Sequence, residues 1–176
     1  MKREYNLKMG FLEDGLPFAQ IGKGPNVLIN LEGLSFKNEP PSGFELKEFI
    51  KSVNTFTEDY TIYLVGRKPN LPSYYSFERM IDDYAAAIRR EFKEPVDVMG
   101  VSTGGHLAQF LAADHPEIVR KLVIISAAYR VSETGLEIEA RAAEYFKQEK
   151  YVKTIETIFE LIFSSKIMRG ISKLFS

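Results

Sequence analysis

At 176 residues, 45% hydrophobic and 27% charged, the chain has the make-up of an ordinary soluble globular protein with enough apolar material to build a core. Its 23 basic and 24 acidic residues nearly cancel, to a formal net charge of −1, and no long block of one sign occurs, so a nucleic-acid partner is not expected. There is no cysteine, which excludes disulfides and thiolate metal sites and permits a reducing compartment. No apolar run follows the start Met1-Lys2-Arg3-Glu4-Tyr5, and none approaches the ~18 apolar residues of a membrane span, so a cytoplasmic protein is expected.

Residues 8–11 and 17–21 read as two short strands, with a hairpin turn at Glu13-Asp14-Gly15. Gly22-Lys23-Gly24-Pro25 is a second turn, without the spacing or the Lys-Ser/Thr ending of a phosphate loop. Residues 26–31 form a continuous apolar run, as expected of a strand covered on both faces, and Glu32-Gly33-Leu34-Ser35-Phe36 follows as a loop. After Pro40-Pro41, Ser42 and Glu45 match a capping box, and Leu46, Phe49, Ile50 and Val53 recur at helical spacing. Residues 60–65 predict a fourth strand. The loop beyond it carries Arg67 and Lys68, which read as solvated loop charges rather than contacts to an acidic substrate. Phe77, Met80, Ile81, Tyr84, Ala85 and Ile88 then give an amphipathic helix whose aromatics read as core.

The next stretch carries the chemistry. A short apolar run (Val96, Val98, Met99) meets Gly100-Val101-Ser102-Thr103-Gly104-Gly105-His106, and a helical pattern follows at once. By chance, Gly-x-Ser-x-Gly arises in roughly one chain in twenty of this length. The strand before it and the helix after it are the context the motif requires. Turning a strand into a helix within so few residues strains the serine backbone, and only small neighbours at Gly100 and Gly104 permit the close approach. The hydroxyl is then expected to stand clear at the carboxyl end of the sheet. It would lie above a helix amino terminus, whose N–H groups favour developing negative charge.

These residues resemble the α/β-hydrolase superfamily. The segment 98–105, followed by Ala112-Ala113-Asp114-His115-Pro116-Glu117 and Leu122-Val123-Ile124-Ile125-Ser126, is similar to the family's fifth strand, third helix and sixth strand. The resemblance runs from about residue 8 to about residue 130. It implies that Ser102 is the nucleophile and that the backbone N–H groups of Thr103 and Leu34 form the oxyanion hole. It also implies that Gly100, Gly104 and Gly105 are the elbow glycines. Glu32 stands where the family commonly has histidine, and reads as a brace for its loop through accepted backbone hydrogen bonds rather than as a catalytic group.

On the elbow helix, Leu107, Phe110 and Leu111 are expected to face the sheet, and His115-Pro116 to end the helix. Thr134 and Glu137 suggest another capping box. Helical patterns follow at residues 136–146, 152–163 and 167–175, similar to the cap the family inserts after its sixth strand. A serine hydroxyl needs a base to take its proton and a third group to orient that base. In the family the acid and then the histidine follow the serine. Here His106 lies in the first turn of the elbow helix, where its ring is not expected to face the hydroxyl. His115 sits in a helix stop and reads as structural, Ser126 and Ala127 are not acidic, and Glu133 lies among cap-like residues.

Three explanations stand open: a hydrolase cut off inside its cap, a short homologue that binds without turnover, or a second chain that supplies the missing groups. The expected fold is α/β, α/β-hydrolase-like. It has a predominantly parallel sheet with helices on both faces, an antiparallel N-terminal hairpin and a helical cap segment, with the C-terminal strands missing. Residues 1–129 would be the core and 130–176 the cap. The function implied by the resemblance is hydrolysis of a small-molecule ester or amide, without metal or organic cofactor, by an esterase-like serine hydrolase that is incomplete in this form. The alternative is a non-catalytic small-molecule-binding or interaction module on the same scaffold. Self-association is expected through the edge of the sixth strand and the cap helices, which carry Ile158, Phe159, Ile162 and Phe163.

Overall fold

A computed structural model describes residues 6–35 and 37–162. The chain divides between Tyr129 and Arg130 into two compact units.

The first unit is a six-stranded sheet in the order β1-β2-β4-β3-β5-β6. The strands are β1 (Lys8–Phe11), β2 (Pro17–Gly22), β3 (Asn26–Leu31), β4 (Tyr60–Val65), β5 (Val96–Val101) and β6 (Val119–Ile125). β1 and β2 form the antiparallel hairpin, and β2 pairs antiparallel with β4. From β4 through β3 and β5 to β6 every pairing is parallel. The fold is thus the expected α/β arrangement. β6 begins at Val119, three residues earlier than its apolar run suggests, because a short 3₁₀ turn at Pro116–Ile118 delivers the chain directly to the sheet.

Alternation along the strands assigns the two faces. Ala19, Ile21, Leu28, Ile62 and Leu64 pack with Phe49 and Val53 of α1 (Gly43–Val53). Ile29, Leu31, Val65 and Val98 turn the other way. They meet Ile81, Tyr84, Ala85 and Ile88 of α2 (Phe77–Glu91) and Leu107, Ala108 and Leu111 of α3 (Thr103–Asp114). Each fully buried Leu or Ile contributes about 1.5–3 kcal/mol of apolar transfer, so the α2–α3 side anchors the strand that carries Ser102. Phe110 departs from expectation. It is exposed, because one face of α3 accommodates only the Leu107–Leu111 stripe.

The amino end of the parallel strands is closed by a polar cluster. Buried Asp97 accepts from Arg120 Nε at 2.8 Å and Nη2 at 3.0 Å, and from the Tyr60 hydroxyl at 3.0 Å. The Arg120 hydrogen bonds, and then that of Tyr60, hold its carboxyl below the usual carboxylate range.

Helix caps differ from the expected boxes. Ser42 flanks α1 but makes no side-chain cap bond. The cap of α4 (Glu133–Lys147) is Ser132, whose hydroxyl accepts from the Gly135 amide, rather than Thr134, which lies inside the first turn. Ser76 caps α2 through the Arg79 amide.

In the second unit, α4 and α5 (Tyr151–Ile162) pack on one another and share the Arg141–Glu160 ion pair. Buried Thr154 and Thr157 return their hydroxyl protons to the carbonyls of Lys150 and Lys153. The expected helix at 167–175, Phe163 and the side chain of Ile162 lie outside the described residues. No helix among the described residues is long and apolar enough to cross a membrane.

Candidate functional site

The site is assembled where β5 becomes α3. Ser102 occupies that junction with φ 53° and ψ −124°, a conformation that residues with a side chain rarely adopt. Its amide donates to the Ile125 carbonyl of β6 at 3.0 Å, and its own carbonyl accepts the first α3 bond from His106 at 3.1 Å. The side chain makes no cap bond and is exposed.

The glycines allow this geometry by absence of a Cβ. One added at Gly100 would lie 2.1 Å from the Gly104 carbonyl oxygen, and one at Gly105 would lie 2.5 Å from the Ala127 Cβ. Thr103 opens α3, and its amide has no hydrogen-bond partner among the described residues. It therefore presents an N–H with the helix's positive end behind it.

The loop after β3 lies against the elbow. A Cβ on Gly104 would meet the Leu31 carbonyl oxygen at 2.0 Å and that of Glu32 at 2.9 Å, and one on Gly33 would meet the Val101 carbonyl at 3.2 Å. Leu34 follows with an exposed side chain. Glu32 does not brace the loop as expected. No hydrogen bond reaches its carboxylate, and buried Oε2 lies 3.9 Å from the Arg67 Nη2. Burial pushes the Glu32 carboxyl up from 4.5 to about 7, opposed by the Arg67 charge and aided by Glu45.

Arg67 is the residue that sequence reasoning misplaced. It is 9% exposed rather than solvated. Its Nη2 donates to the Gly33 carbonyl at 2.8 Å, and its Nη1 to that of Glu32 at 3.3 Å. Lys68 is likewise paired, with Asp83. The available signal was position, because residues just past the carboxyl end of a parallel strand face the crevice where ligands of open α/β sheets bind.

The histidines are engaged elsewhere. The His106 ring packs edge-to-face on Phe77 of α2, with centroids 6.5 Å apart. His115 lies with Nδ1 3.0 Å from Arg89 Nη2 and Nε2 3.4 Å from Asp82. Neither histidine hydrogen-bonds the Ser102 hydroxyl. Among the described residues no group of His, Asp and Glu could hold a metal ion.

No family model matches the sequence. Solved structures do match. An α/β hydrolase from Sphaerobacter thermophilus aligns at 19% identity and a TM-score of 0.62, over 86% of this chain and 59% of that one. A hydrolase from Pseudomonas aeruginosa aligns at 15% identity and 0.63, over 96% and 66%. An esterase from a marine microorganism aligns at 26% identity and 0.58, over 90% and 62%. The chain therefore spans about three fifths to two thirds of the length of these relatives. A mixed six-stranded sheet, a serine at a strained strand-to-helix turn and these alignments agree on one scaffold: the chain has the α/β-hydrolase fold.

Proposed function

We propose that the chain carries the nucleophile half of a serine hydrolase acting on carboxyl esters or related acyl compounds. Ser102 Oγ would attack the carbonyl carbon, the carbonyl electrons would move onto oxygen, and the leaving alkoxide would depart with a proton. The Thr103 and Leu34 N–H groups would hold the oxyanion. No metal or organic cofactor enters this scheme, and the absence of cysteine suits a cytoplasmic setting. The observation that carries the reading is the backbone of Ser102, because strain of this kind persists only where the surroundings enforce it and is concentrated at active sites. Residues 1–129 would form the catalytic core and 130–176 a helical cap.

Because neither His106 nor His115 reaches Ser102, the base and its acid lie outside the described residues in this scheme. The test is hydrolysis of p-nitrophenyl acetate by the 176-residue chain. Slow, Ser102-dependent turnover is expected, with at most ~10³-fold left over water from the oxyanion site. Turnover on the order of 10 per second would mean that another residue or chain acts as base. The same disengaged histidines favour one second reading, a non-catalytic small-molecule-binding or interaction module, which slow hydrolysis unaffected by Ser102→Ala would support.

A further inference from the structure

The loop that carries Leu34 is held from both sides. On one side, Gly104 is wedged against the Leu31 and Glu32 carbonyls. On the other, the buried Arg67 guanidinium takes the Glu32 and Gly33 carbonyls in a two-pronged grip. The Gly33 carbonyl and the Leu34 N–H belong to one peptide unit, and no cis peptide occurs among the described residues. In a trans unit the two groups point in opposite directions. Whatever captures the Gly33 oxygen therefore aims the Leu34 N–H the other way.

We propose that Arg67 is the positioning residue of the oxyanion hole: it fixes the Gly33–Leu34 peptide so that the Leu34 N–H faces outward toward the reacting carbonyl at Ser102. This rests on the reading of Ser102 as nucleophile. A guanidinium suits the task because its planar fork satisfies two adjacent carbonyls at once, whereas an ammonium is a single point charge on a flexible stem. Burying that charge is costly unless it is paired and hydrogen-bonded. Here the two carbonyls and the Glu32 carboxylate at 3.9 Å supply the partners. No hydrogen bond links Glu32 Oε2 to the guanidinium, whose hydrogen bonds go to the two carbonyls.

The test compares Arg67→Met, Arg67→Lys and the double variant Arg67→Met/Glu32→Gln, the last to remove the buried counter-charge if the single variant unfolds. Backbone ¹⁵N relaxation of the full chain reads the loop directly. The Leu34 order parameter is expected to fall from about 0.85 to below about 0.6 in both Met variants and to recover in part in Arg67→Lys. The second readout is the rate at which p-nitrophenyl acetate acetylates Ser102, expected to drop ~10-fold or more when a donor loses its aim. Val53→Ala, in the core on the α1 face of the sheet, is the control for general destabilisation and should leave both readouts unchanged. An ordered Leu34 and an unchanged acetylation rate in the folded Met variants would overturn the role of Arg67. Absence of acetylation in the wild-type chain would instead overturn the nucleophile reading.

Discussion

Gly104 sits against the carbonyl of Leu31 so closely that a Cβ would lie 2.0 Å from the oxygen. That contact joins the helix after Ser102 to the strand leading into the Leu34 loop, and the obstacle is backbone on both sides. Gly104→Ala is therefore expected to destabilise the fold by about 3 kcal/mol or more, the upper end for overpacking. Urea denaturation measures it. A loss below about 1 kcal/mol would mean that the elbow and the loop can part.

The strain at Ser102 makes the opposite prediction. With φ 53° and ψ −124°, glycine is the residue best suited to the position. Ser102→Gly is expected to stabilise the chain by about 1 kcal/mol relative to Ser102→Ala, which keeps the Cβ, out of the ~1–3 kcal/mol such conformations cost. Equal stability of the two variants would show that the turn is not strained.

Much of this architecture was legible in the sequence because it rests on local signals. The alternation and apolar runs of 17–31 and 60–65, the stripe on α2 and the elbow motif each state their own geometry. What was not legible depends on distant partners. Arg67 reads as a loop cation until β4 brings it beneath Glu32 and Gly33. Glu32 reads as a hydrogen-bonded brace until burial leaves its Oε2 without a hydrogen bond, 3.9 Å from a guanidinium. Thr134 and Glu137 match a capping box by pattern, but α4 already begins at Glu133, so Ser132 is the residue that caps it. The spacing of His106 says nothing of its ring contact with Phe77, which depends on the packing of α2 on α3.

Glu32 gives the stability a pH dependence whose sign can be worked out. Its carboxyl is near 4.5 when unfolded and about 7 when folded, because burial outweighs the attraction of Arg67 and acts with the repulsion of Glu45. The folded state thus binds the proton more tightly. The contribution of Glu32 is fully present below about pH 4.5 and is lost as pH rises through 7, to the extent of up to about 3 kcal/mol. Glu32→Gln is expected to match the wild type near pH 5 and to be more stable at pH 8, by chemical denaturation at both values. A constant difference between the two proteins across that range would contradict the shift.

β6 ends the sheet, and among the described residues it pairs only with β5. Leu122, Val123, Ile124 and Ile125 are each about two-fifths exposed. An apolar strand with free backbone groups invites pairing, so we propose self-association through this edge. Light scattering coupled to size-exclusion chromatography is expected to give a mass above 20.1 kDa that falls on Val123→Lys. A sharp monomer peak at high concentration would contradict it.

We propose Ser102 as a nucleophile held beside oxyanion donors. Intact-mass and peptide mass spectrometry after exposure to p-nitrophenyl acetate test it most directly. With neither histidine hydrogen-bonded to the Ser102 hydroxyl among the described residues, an acetyl ester on the peptide carrying Ser102 is expected to accumulate over time and to vanish in Ser102→Ala. Acetylation confined to lysine and tyrosine side chains, at the same level in both proteins, would contradict it.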